Sequence, residues 1–382
     1  MLSRPHAHVG GGADNHGVSE RRTSPVELLW DLVFVFSVTQ VTTLLAKDLT
    51  WTGLGHGVIV LALVWWAWSA FVWAANAEEE ESRALRTILL LAMVLVFIAG
   101  LALPRAFGDD ATLFAVAYAA VRFLHLGMYA HAARRGNARW SAIAGFAVTV
   151  TIGMALLVVG SFLSEGWRVV LWTAAVLIDY AGPAWLTRER LRGLQQVAVA
   201  HFAERYGLFV IICLGESIVA IGLSADNQAI DAKLVTAVAL GLATTIALWW
   251  LYFDRFAAFA EERLRDHDDV VLAAADGYSY LHLVIVAGII VFAAGMKVAI
   301  RDVGGSLSDA ARLALCGGLV LYLAGNVSFR LRLGGALSYA CIAGVAGLVL
   351  LYGVGGGLAA LWVTALAATV LVLTCSLETR TS

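Results

Sequence analysis

The chain has 382 residues, 60% of them apolar and 14% charged, with a formal net charge of −2 and a mean hydropathy of +0.81. Soluble domains carry about a quarter charged residues, and a soluble chain of this length would expose far more apolar surface than its cores could bury. The composition excludes an ordinary soluble protein, offers no footing for nucleic acid, and makes the lipid bilayer the implied partner.

Residues 1–24 are polar and rich in glycine and histidine. They contain no apolar run with a small-residue cleavage site before Pro25, so a disordered cytoplasmic tail is expected rather than a cleaved signal. A helix crossing the hydrocarbon needs about 20 apolar residues. Six such stretches come next, near 26–46, 56–76, 86–104, 111–132, 141–163 and 168–187. A polar, amphipathic linker over 188–203 carries Arg188, Glu189, Arg190 and Arg192. Six more stretches lie near 204–223, 233–256, 274–298, 308–327, 335–352 and 356–376, before a short tail over 377–382. The expected fold is an all-α polytopic membrane protein of about twelve transmembrane helices, with a first half over 25–187 and a second over 204–376.

Basic residues test the orientation, because cytoplasmic loops hold the Lys/Arg excess. With the N-terminus inside, cytoplasmic segments hold Arg21, Arg22, Arg83, Arg86, Arg134, Arg135, Arg188, Arg190, Arg192, Arg255, Arg263, Arg265, Arg330 and Arg332. The other side holds only Lys47, Arg105, Arg168, Lys233, Lys297 and Arg301. The chain is thus expected to be a multi-pass protein of the bacterial cell membrane with both termini cytoplasmic.

The halves share strings in the same order. Trp65-Trp66-Ala67-Trp68 matches Trp249-Trp250-Leu251-Tyr252, and Val96-Phe97-Ile98-Ala99-Gly100 matches Val291-Phe292-Ala293-Ala294-Gly295. Glu27 to Val41 corresponds loosely to Glu204 to Ile218. These matches predict two parallel six-helix repeats, and such repeats put a pathway or site at their interface near the midplane. The Trp-Trp pairs are expected to pack helices rather than line a ligand site.

Ionisable residues inside spans are expensive in lipid and are functional candidates for that reason. Glu27, Asp31 and Thr42 fall on one stripe of the first span. In the seventh span Glu216 lies about 18 Å of helix beyond Glu204, where an unpaired carboxylate would favour holding a proton. Arg122 and His125 share a face of the fourth span, Asp179 lies in the sixth, Asn326 in the tenth and His282 in the ninth. Arg122 should pair with Asp31, Asp179 or Glu216. His201 and Glu204 stand at i and i+3, a spacing that suits an end-of-helix pair better than a metal. No phosphate loop, nucleophile elbow or metal-ligand spacing occurs, and the four cysteines lie in apolar segments, so no metal or cofactor is expected.

Glu27-Leu28-Leu29-Trp30-Asp31-Leu32-Val33-Phe34, His201-Phe202-Ala203-Glu204-Arg205-Tyr206-Gly207, Gly215-Glu216-Ser217 and Tyr280-Leu281-His282 resemble motifs of the bacterial low-temperature-requirement A family, from about residue 20 to 375. The resemblance implies Glu27, Asp31, His201, Glu204, Arg205, Glu216 and His282 as family-type positions, with Trp30 departing from the usual Phe. The family name records a growth phenotype and supplies no reaction. Glu27, Asp31, Val33 and Phe34 are also similar to the first-helix motif of cation channels with a Phe-Ser-Asp signature, which this chain lacks.

These residues point to a transporter or channel-like protein for a small solute or cation, with proton coupling through Asp31 and Glu216. The alternatives are an intramembrane enzyme or metal or cofactor binder using His125, His201, His282 and the carboxylates, and a membrane scaffold or stress sensor. A homodimer is left open.

Overall fold

The computed structural model describes residues 23–76, 83–134, 140–183, 197–226 and 228–379. Among them, twelve principal helices succeed one another: α1 (Pro25–Lys47), α2 (Trp51–Asn76), α3 (Arg83–Ala102), α4 (Ala111–Arg134), α5 (Trp140–Ser161) and α6 (Glu165–Ala181). After these come α7 (Val199–Ala225), α8 (Ala232–Trp250), α9 (His282–Arg301), α10 (Asp309–Arg332), α11 (Tyr339–Val354) and α12 (Ala360–Glu378). Eleven helical stretches are long and apolar enough to cross a membrane; α6, with 17 residues, sits at the lower limit for a span. No strand forms among the described residues, apart from one isolated bridge between Ser306 and Ala359.

Local chemistry sets the helix starts. Ser24 caps α1, Pro25 takes the first helical position, and Glu27 returns its carboxylate to the Ser24 amide at 2.8 Å, a capping box that satisfies two orphan donors reciprocally. Asp231, Ser308 and Ser338 cap α8, α10 and α11 through their side chains. The chain enters α11 through Gly334, whose φ of 74° suits a residue without Cβ.

Two helices extend beyond the expected spans. A π-helical stretch, Leu251–Phe256, continues α8, and Ala257–Arg265 carries it further. Val270–Ala274 and a second π-helical stretch, Ala275–Leu281, lead into α9. The acidic cluster at residues 266–269 turns the corner between them, with Asp269 capping the second segment. The acidic run 78–81 and most of the expected linker lie outside the described residues. The helix reaching into the second half begins at Val199 rather than at residue 204, which places His201 inside α7.

Large apolar side chains remain exposed around the perimeter, among them Leu32 at 62%, Val94 at 59%, Val235 at 54% and Trp362 at 61%. A soluble protein rarely exposes this much contiguous apolar surface; acyl chains cover it at no cost. Inside, α9 and α10 approach most closely. A Cβ added at Gly288 would lie 2.5 Å from the Tyr322 amide nitrogen, and one at Gly295 would lie 2.5 Å from that of Leu315. Small residues spaced seven apart let two backbones touch, as association within lipid requires.

In the first half α1 packs on α2 and α3, α3 on α4, α4 on α5, α5 on α6, and α2 on α6. In the second half α7 packs on α8 and α9, α9 on α10, α10 on α11, α11 on α12, and α8 on α12. The halves meet chiefly where α1 lies against α7 and α9, and where α2 lies against α7 and α9.

Candidate functional site

The α1–α7 seam holds ion pairs that lipid would not tolerate unpaired. Glu27 and Asp31, one turn apart on α1, both face α7 and are buried. Arg205 reaches between them, 3.1 Å from Glu27 Oε1 and 2.7 Å from Asp31 Oδ1. His201 Nε2 lies 3.3 Å from Glu27 Oε2, and the Trp68 indole of α2 donates to Asp31 Oδ1 at 2.8 Å. Further along, the Thr39 hydroxyl donates to Glu216 Oε2 at 2.5 Å. Contacts between residues 174 apart at one end and 177 apart at the other mean that α1 and α7 run side by side in the same direction.

Arg205 bridges the two carboxylates and His201 stands against Glu27, so four ionisable side chains are gathered out of water, where each depends on the others. Glu216 is attracted by Lys297 of α9 and is within reach of Thr42. The Lys297 ammonium itself donates to the Thr43 hydroxyl at 3.2 Å.

A second pair lies apart from the seam. Arg122 on α4 donates to Asp179 on α6 at 2.8 Å, with both side chains about 2–3% exposed. Of the three partners open to Arg122 from the sequence, the fold selects Asp179, because α4 and α6 both border α2 while α1 lies on its far side. The pair lines a cavity of about 50 Å³ together with His125, Trp66, Trp73 and, from the π-helical stretch before α9, Ser279 and Tyr280. The cavity therefore lies between the halves.

Hydroxyls connect the two places. Ser69 and Ser279 line the cavity and also bond to Tyr206, the neighbour of Arg205, at 2.7 and 3.4 Å. Trp73 donates to Ser279 Oγ at 2.7 Å, and Trp65 donates to the Ser279 carbonyl at 2.7 Å. A π-helical register shifts carbonyls out of the i→i−4 ladder and recurs at functional sites; here it presents a backbone oxygen to an indole.

Not every predicted residue converges. Glu204 points outward and is exposed, away from its helical neighbour His201. His282 is fully buried in a ring of aromatic side chains, its Nε2 2.8 Å from the Tyr252 hydroxyl. Among the described residues no three His, Cys, Asp or Glu side chains gather as a metal would require. The Trp pairs divide: Trp65 and Trp66 are buried, and Trp66 lines the cavity, whereas Trp249 and Trp250 are 44% and 45% exposed. Sequence reasoning passed over Tyr206, Ser69, Ser279 and Lys297. Ser69 and Tyr206 adjoin Trp68 and Arg205 in the chain, which is a signal; Lys297 looked like a loop cation.

A family model described as Bacterial low temperature requirement A protein (LtrA) matches residues 22–376. An uncharacterized protein of Rhizobium meliloti (strain 1021) is 31% identical over 308 residues, covering 77% of this chain and 75% of its own length. No solved structure matches.

Proposed function

The chain belongs to the bacterial low temperature requirement A family, and on that premise we propose that this multi-pass membrane protein is a proton-coupled transporter or channel-like protein for a small solute. The observation that carries the reading is the α1–α7 seam. Two buried carboxylates bridged by one arginine, with a histidine 3.3 Å from one of them, gather four ionisable side chains between two spanning helices. Ionisable groups so placed inside a span are costly in lipid and suit proton exchange.

Further features support the reading. Each half uses the same succession of helix neighbours, α1 and α7 run parallel, and Thr39 meets Glu216, its counterpart when the first-span strings are aligned. These are the contacts expected of two parallel six-helix repeats about an axis along the membrane normal. With α6 as a twelfth crossing beside the eleven long apolar helices, the Lys/Arg excess in alternate loops supports an arrangement with both termini in the cytoplasm. The cavity beside Arg122 lies between the halves, where a solute site of such a protein belongs. A guanidinium on its wall disfavours a free cation as the cargo.

In this reading Glu27, Asp31, His201 and Arg205 exchange the proton, and Glu216 with Lys297 continues the polar path. Tyr206, Ser69 and Ser279 connect it to the cavity. Proteoliposomes carrying an internal pH dye test it. Asp31→Asn and Glu216→Gln, each verified as folded by size-exclusion chromatography, should lose solute-driven proton movement. Proton movement equal to the parent in both variants would sink the coupling mechanism.

A further inference from the structure

Arg122 keeps donors to spare. Only its Nη2 is engaged, by Asp179; Nε and Nη1 are buried with no hydrogen-bond partner, as is Asp179 Oδ2, while the His125 ring stands against the Ala70 backbone. An unsatisfied buried polar atom costs about 1–3 kcal/mol, and in hydrocarbon no water approaches from the lipid side to relieve it. Three such atoms, on two residues that line one cavity, call for a polar occupant.

Size and charge narrow the occupant. A cavity of about 50 Å³ has room for roughly three to five waters, or for one planar group of three or four non-hydrogen atoms. Indole and phenyl rings of Trp66, Trp73 and Phe146 form flat apolar walls. Arg122 supplies donors for an anion and repels a cation. Arg122 and Asp179 cancel, so a monovalent anion entering alone would leave the cavity negative. Among the described residues, the other titratable groups facing it are His125 and Tyr129 from α4 and Tyr280 from the stretch before α9; α2 and α5 contribute none. His125, 3% exposed, is the imidazole on the wall, and an anion seated on Arg122 would offset the guanidinium charge that otherwise opposes a proton there.

We propose that this cavity binds a short-chain monocarboxylate, of the size of formate or acetate, together with one proton, so that the equivalent of a neutral acid enters. Arg122 holds the carboxylate, His125 carries the proton, and the aromatic walls accept the small apolar remainder. The assignment deepens the transport reading by naming its solute, and rests on that reading only for the steps after binding.

Equilibrium titration of the purified full-length protein in lipid nanodiscs with sodium formate and sodium acetate tests it, by calorimetry and by the fluorescence of Trp66 and Trp73. Binding should saturate and should weaken by about tenfold or more between about pH 6 and about pH 8, because a proton binds with the anion. Arg122→Gln should weaken binding about ten- to hundredfold. His125→Gln keeps a donor and removes the titration, so its affinity should be equal at the two pH values. Ala70→Leu fills the cavity without removing a charge, and should abolish binding in a monodisperse protein even where Arg122→Gln fails to fold. Absence of saturable binding of both acids by the parent would overturn the proposal, as would parent-like affinity in Ala70→Leu or displacement of the acid by ammonium ion. Saturable binding without uptake into liposomes would leave the cavity assignment standing and remove the transport reading. Uptake unchanged by Ala70→Leu would do the reverse.

Discussion

The Arg122 cavity is walled by α2, α4, α5 and α6 and closed by the stretch before α9, while a second arginine–carboxylate pair lies among the continuation of α8, α10, α11 and α12. Each half pairs an arginine on its fourth helix with a carboxylate on its sixth, Arg122 with Asp179 and Arg330 with Glu378. The Arg330–Glu378 pair, however, borders a gap of only about 10 Å³ on the side of Tyr322 and an open cleft of about 440 Å³ on the side of Ser338 and Tyr339. Tyr322 donates its hydroxyl to the Leu248 carbonyl at 2.6 Å, and Glu378 also accepts from Ser338. The second pair thus shares its carboxylate with Ser338 and meets an open cleft, whereas the Arg122 pair is enclosed, with donors to spare beside the small Ala70.

The largest effect should separate the two pairs. Arg122→Leu leaves Asp179 alone in a fully buried setting and should cost about 3–5 kcal/mol, read as a drop in thermal unfolding temperature in detergent. The double variant Arg122→Leu/Asp179→Leu should recover most of that loss. Arg330→Leu should cost less, about 1–3 kcal/mol, because Ser338 still serves Glu378; an equal loss would erase the distinction between the halves.

Next comes the seam, which has no counterpart inside either half. Arg205→Met leaves Glu27 and Asp31 facing each other, and should destabilise by about 3 kcal/mol; adding Asp31→Asn should restore part of it. A loss unaffected by the second substitution would mean that the carboxylates are held by other partners. Smaller still is the α9–α10 contact, where Gly288→Ala drives a methyl against the Tyr322 backbone and should cost about 1–3 kcal/mol. The smallest effect belongs to Trp250. Trp250→Leu on the outer face should change stability by no more than about 0.5 kcal/mol, while Trp66→Ala should cost about 3–5 kcal/mol. Similar losses at the two positions would mean that the second pair packs against protein as the first does.

Much of this architecture was legible from the chain. Apolar stretches of about 20 residues can be satisfied in lipid only as helices, so the succession of helices follows from hydropathy, and the family-type strings around Glu27, Asp31 and Arg205 fall on the seam. The boundaries between α8 and α9 were less legible, because α8 and the segment before α9 continue through polar residues that a hydropathy window rejects. Glu204 and His201 show another limit. Three residues apart, they look like neighbours, yet one faces α1 and the other the outside, since a face about 100° wide decides burial.

Periodicity, composition and loop charge by themselves determined an all-helical, many-spanning membrane protein, with Glu27 and Asp31 on an inward stripe, because lipid enforces those features locally, residue by residue. Which charges meet was decided only by the tertiary structure. Arg122 had three carboxylates open to it, and only the packing of α4 and α6 against the same side of α2 selects Asp179. The cavity likewise exists only because α2, α4, α5 and α6 leave a gap that Ser279 and Tyr280, more than a hundred positions along the chain from most of its other walls, come across to close.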